Sequence, residues 1–123
     1  MGELISGMHH VSMLVKNTEI SLRFYVDVLE MRPIARPDLG FPGAWLGVGK
    51  QQIHLLELPN PDPVENRPAH GGRDRHLALT VTDLDKLTGR LDQAGISYSL
   101  SKSGRAALFC RDPDGNGLEF IQA

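Results

Sequence analysis

The sequence predicts an α+β fold built from two successive strand–helix–three-strand (βαβββ) modules, and three observations carry that prediction. Two short stretches, "HVSMLV" (10–15) and "HLALTV" (76–81), alternate polar and apolar residues with period two, as half-buried strands do. Each is followed by a capping residue and an apolar stripe at helical spacing. Each half then breaks into short strand-like pieces with a strong turn signal before the last, "GVGK" in the first half and "DPDGN" in the second. His76 follows His10 by 66 residues, so the plan repeats within the chain.

The elements follow in order. In the first strand His10, Ser12 and Leu14 share one face, and Val11, Met13 and Val15 the other. Asn17 or Thr18 can cap the helix after it, whose stripe is Ile20, Phe24 and Val28. The strand region "PIARPDLGFPGAWLGVGKQQIHLLEL" ends on "QIHLLEL". A Pro-, Gly- and charge-rich segment, 59–73, reads as the linker, and His70 within it as a solvated loop histidine. In the second half His76, Ala78 and Thr80 oppose Leu77, Leu79 and Val81. Asp83 caps a helix striped by Leu84, Leu87 and Leu91, and Gly95 stops it. "ISYSLSKSGRAALFCRDPDGNGLEFIQ" completes that half, ending on the strand "GLEFIQ". The whole chain, 1–123, is thus one domain of two modules, 8–58 and 74–123.

Composition narrows the function classes. A hydrophobic share of 41% supports a core, and a formal charge of −2 with no basic stripe argues against nucleic acid as a partner. No apolar run approaches the ~20 residues of a membrane helix. Met1-Gly2-Glu3-Leu4 lacks the features of a secretion signal. A single cysteine, Cys110, rules out an internal disulfide framework and fits a cytoplasmic location. In the apolar run "ALFC" it reads as a buried structural thiol.

The repeat gives four residues a shared meaning. Each half carries one candidate metal ligand on its first strand and one on its last: His10 with His54, and His76 with Glu119. Singly, a histidine at a strand start is usually a surface or hydrogen-bonded residue. Matched repeat positions, each among apolar neighbours in sequence, favour a joint site for a divalent ion such as Zn, Ni, Fe, Mn or Co. His9 falls on the opposite face and reads as peripheral.

The runs "HHVSMLV", "SLRFYVDVLEM", "DRHLALTV" and "RDPDGNGLEFI" together resemble the vicinal oxygen chelate superfamily, which includes glyoxalase I, extradiol dioxygenases, fosfomycin-resistance thiol transferases and bleomycin-resistance proteins. The resemblance covers nearly the whole chain. It implies paired βαβββ modules forming a cup-shaped, mixed eight-stranded sheet of glyoxalase-like architecture. It also implies a metal held by His10, His54, His76 and Glu119, a small-molecule substrate chelated through adjacent oxygens, and a homodimer in which the site lies within one chain or is shared between two.

One departure bears on the chemistry. Glyoxalase I usually places a glutamate at the position of His54, and Glu57 lies on the opposite strand face. Three neutral histidines and one carboxylate leave a divalent centre about +1, which favours anionic oxygens. His10, His76 and Glu119 alone make the two-histidine, one-carboxylate set of non-heme Fe(II) oxygenases. His54 is then an acid, a base or a substrate contact, with Glu119 as ligand and base.

Lys102, Ser103 and Arg105 sit in "SKSGRAALF". One reading is an anion clamp on the substrate, the other a polar hairpin tip. Trp45 is a wall of the cup or an interior strand aromatic. "DPDGNG" reads as a tight turn and not a calcium loop. The functions in contention are a metal-dependent lyase or isomerase, an Fe(II) ring-cleaving dioxygenase, a Mn-type thiol transferase, and a metal-free binding protein. The last predicts lost ligand positions, whereas all four are retained here.

Overall fold

The computed structural model describes residues 3–123, so Met1 and Gly2 of the N-terminal reading lie outside the described residues. The first module runs β1 (His10–Leu14), α1 (Thr18–Leu22) continuing directly into a π-helical segment (Arg23–Val28), β2 (Arg32–Ile34), β3 (Gly43–Val48) and β4 (Gln51–Leu56). The second runs β5 (His76–Val81), α2 (Leu84–Gln93), β6 (Tyr98–Leu100), β7 (Ala107–Arg111) and β8 (Gly117–Gln122). The architecture is α+β, and the eight strands are hydrogen-bonded as two four-stranded mixed sheets, ordered β1-β4-β3-β2 and β5-β8-β7-β6. Each first strand runs parallel to the last strand of its module; the remaining pairs are antiparallel.

Local chemistry sets the helix ends. The Asn17 side chain accepts from the Ile20 amide and the Asp83 side chain from the Lys86 amide, each satisfying an amide that the first turn leaves unpaired. Gly95 stops α2 with φ +70°, a left-handed conformation that costs glycine little. The first helix departs from the predicted stripe. Ile20 is 47% exposed, while Ser21, Phe24 and Tyr25 are buried. The chain widens into π-type bonding at this point, with the Leu29 amide donating to the Phe24 carbonyl at 3.0 Å, so the inward face is set by Phe24 and Tyr25 together.

One core joins both modules. Met13, Leu46, Ile53 and Leu55 of the first sheet, Val15 just past β1, and Leu108, Cys110, Leu118 and Phe120 of the second sheet pack with Phe24, Tyr25, Leu87 and Leu91 from the helices. The opposite sheet faces carry the candidate ligands. Polar interlocks align the modules. Tyr25 Oη donates to Asp112 Oδ2 at 2.6 Å, Asn116 Nδ2 donates to the Leu14 carbonyl at 3.3 Å, and Arg90 pairs with Glu30 at 3.0 Å. The "DPDGNG" segment is the tight turn expected, with Asp112 Oδ1 accepting from the amides of Asp114 and Asn116. No helix among the described residues is long and apolar enough to cross a membrane.

Candidate metal centre

The repeat holds at the level of register. Ser12 pairs with His54 and Trp45 lies across from it; in the second module Ala78 pairs with Glu119 and Phe109 lies across. His10 and His76 stand two residues before Ser12 and Ala78, on the same strand face. Each sheet therefore presents the same trio of positions: His10, His54 and Trp45 on one, His76, Glu119 and Phe109 on the other.

The second trio forms a convergent pair. Glu119 is 3% exposed, and its Oε1 lies 3.2 Å from His76 Nε2. His76 Nδ1 lies 2.8 Å from the carbonyl of Asp74, so in the neutral ring Nδ1 carries the proton and the Nε2 lone pair faces the carboxylate. In that neutral form two acceptors face each other, an arrangement that a cation between them satisfies. Two donors about 2.1 Å from one ion at a near-right angle stand ~3 Å apart, and a carbonyl fixing the far nitrogen is the usual support of a metal-binding histidine. His76 and Glu119 therefore fit a divalent ion. Arg105 Nη2 donates to the other oxygen, Oε2, at 2.8 Å. The Arg105 side chain is 56% exposed.

The first trio is arranged differently. The His54 ring is stacked between Trp45, at 4.1 Å and 6°, and His10, at 4.0 Å and 19°. His54 Nε2 bonds to Gln52 Oε1 at 2.8 Å, and His10 Nδ1 lies 2.9 Å from His9 Nδ1. Burial above all, then the neighbouring His10, His9 and Arg36, pushes the His54 pKa below the ordinary imidazole value, which keeps the ring neutral.

The two pairs do not meet within one chain. Among the described residues no group of three or more His, Cys, Asp or Glu is close enough to hold a metal. The Leu14 carbonyl touches Asn116, next to Gly117, which pairs with His76, so the far end of β1 adjoins the start of β5. His10 stands four residues back along β1, about 13 Å at strand rise.

The remaining residues fall into place around the pairs. His10 and His76 are exposed, whereas His54 and Glu119 are buried. Glu57 accepts from the Thr18 amide at 2.8 Å, on the helix side of its sheet. Trp45 lines the ligand-bearing face. Lys102 is exposed and enters no hydrogen bond or ion pair among the described residues. His70 is not solvated: it is half-buried, accepts from the Gly72 amide at Nδ1, and lies 4.7 Å from the Phe109 ring. The linker folds back onto β7 here, with Gly71 against Cys110 and Gly72 against Phe109. Sequence reasoning missed Gln52, Phe109 and Asp74. Gln52 could have been found from its same-face spacing to His54, whereas the Asp74 carbonyl leaves no sequence signal.

Comparison with known proteins agrees with this architecture. The model of the Glyoxalase/Bleomycin resistance protein/Dioxygenase superfamily matches residues 7–120. The chain is 35% identical to Glyoxylase I 4 of Arabidopsis thaliana, over 94% of this chain and 70% of that protein. It is 33% identical to a lactoylglutathione lyase of Neisseria meningitidis, over 92% of this chain and 88% of that protein. A solved structure from Bacillus anthracis, described as of the glyoxalase family, superposes with a TM-score of 0.80 at 25% identity, covering 99% of this chain and 98% of that one. The chain belongs to the glyoxalase/bleomycin resistance protein/dioxygenase superfamily.

Proposed function

We propose that this protein is a divalent-metal-dependent enzyme of lyase or isomerase type, acting on a small molecule through two adjacent oxygens and working as a homodimer. The observation that carries the reading is the facing of His76 Nε2 and Glu119 Oε1 at 3.2 Å, with His76 Nδ1 held by the Asp74 carbonyl. Similarity to proteins named glyoxylase I and lactoylglutathione lyase supports the reaction class. The donors are His10, His76 and Glu119, a set suited to Zn, Ni, Fe, Mn or Co. The bound ion supplies positive charge to adjacent substrate oxygens. The chain's own residues do the rest. Asp74 fixes the His76 tautomer. Arg105 holds Glu119 Oε2 and leaves Oε1 for the ion or for a substrate proton, and its remaining donors face an anionic group of the substrate. The buried thiol of Cys110 accords with a reducing cytoplasm.

His10 reaches the other two donors across a twofold axis, from a second copy of the chain. The matched trios on two open faces suit such a pairing. Mixed dimers test it. His10→Ala and Glu119→Ala proteins each lose metal, and refolding them together restores about a quarter of the wild-type content, because half the dimers are mixed and each keeps one intact site. No recovery places the site within one chain and contradicts the shared arrangement.

The stack that engages His54 favours a second reading, an Fe(II) ring-cleaving dioxygenase on the same two histidines and one carboxylate. Oxygen uptake with catechol by the ferrous protein, absent in the lyase reading, separates the two.

A further inference from the structure

We infer that His54 is a positioning residue that sets the ring plane of His10, and not a metal donor. The inference rests on the metal reading above for the role of His10. Three rings lie in one pile, Trp45, His54 and His10, with successive centroid separations of 4.1 and 4.0 Å and interplanar angles of 6° and 19°. An imidazole lone pair lies in the plane of its ring. Two rings nearly parallel at 4.0 Å send their lone pairs side by side and not toward one point, so His10 and His54 in this arrangement do not share an ion. One His54 nitrogen is already committed, Nε2 to Gln52 Oε1 at 2.8 Å. His54 is 8% exposed, whereas His10 at the outer end of the pile is exposed. Trp45 and Gln52 fix His54, and His54 in turn offers its outer π-face to His10, as aromatic stacking favours. His9 meets the Nδ1 edge of His10 at 2.9 Å. The His10 ring is thus held on one face and one edge, the double restraint that orients a metal-binding histidine. The counterpart of His54 in the second module is Glu119, so the two halves have diverged at this position: one holds a donor, the other a spacer.

Zinc, which is spectroscopically silent, and Trp45, the single tryptophan of the chain, test this directly. A spacer role has His54→Phe, which keeps an aromatic ring in the pile, binding Zn(II) within about threefold of wild type, and His54→Ala weakening it about tenfold. Trp45 emission stays constant as zinc binds the wild type. A hundredfold or greater loss in His54→Phe, or a Trp45 emission change on zinc binding that His54→Phe abolishes, overturns the inference. The metal-free proteins supply an independent measurement. Acrylamide quenching of Trp45 rises in His54→Ala and stays at the wild-type level in His54→Phe; equal quenching in all three overturns the stack. A wild type that binds no zinc overturns the metal reading, and quenching then decides the pile by itself.

Discussion

Cys110 shows how far its surroundings move one side chain. Burial first, and then Asp112, pushes its thiol from 9.0 up to about 12. A higher pKa lowers the thiolate fraction at pH 8, and thiolate is the reactive form. Iodoacetamide should therefore modify the native protein about 10³-fold more slowly than the unfolded chain at that pH. Similar rates would show a mobile or exposed thiol. Asp74 moves the other way. Hydrogen bonds from Arg111, the nearer at 2.7 Å, hold its carboxyl below the usual 3.8. A depressed pKa contributes stability above the unfolded value, and that contribution is lost as pH falls through the folded one. Urea midpoints of wild type and Arg111→Met should thus differ at pH 7 and converge as the pH falls below 3.8. A gap that persists in acid would assign the Arg111 effect to packing. At this scale the sequence was informative where the repeat constrained it: His10, His54, His76 and Glu119 are marked by matched positions alone. The aim of Arg105 at Glu119 and the His9–His10 contact depend on rotamers and a loop path, which periodicity does not encode.

Elements were readable where a single local rule decided them. Asn17 and Asp83 cap their helices, and replacing either by alanine should cost about 1 kcal/mol in urea unfolding; an unchanged midpoint would mean that solvent satisfies the first turn equally well. The alternating strands were readable for the same reason, since one face of each sheet packs on the helices. The first helix was not, because a spacing-four stripe through Ile20 assumes uniform α geometry. The π-type turn at Arg23–Val28 rotates the inward face onto Phe24 and Tyr25. The path of the 59–73 segment has no such local rule: its glycines let the backbone approach β7. A Cβ at Gly72 would lie 2.6 Å from the Phe109 ring, which stands 5.5 Å from His76. Gly72→Ala should destabilise the fold by about 1–3 kcal/mol and weaken metal binding by moving Phe109. Wild-type stability and affinity in that variant would show that the linker yields instead.

At the scale of the molecule, the two-module plan followed from the 66-residue repeat, but the relative placement of the modules did not. That placement rests on contacts far apart in sequence, Tyr25 with Asp112 and Glu30 with Arg90, and no local pattern announces them. The Leu14–Asn116 contact sets the end of β1 beside the start of β5, and His10, His76 and Glu119 form no three-residue cluster within one chain. The central claim, that His76 and Glu119 face each other to hold a divalent ion, is tested most directly by elemental analysis of the purified protein after reconstitution with Zn, Ni, Fe, Mn and Co. The expected result is about one ion per chain in wild type, two per dimer, and loss of that ion in His76→Ala and in Glu119→Ala. A wild type that retains none of the five ions, or a Glu119→Ala protein that keeps its full complement, would contradict the account.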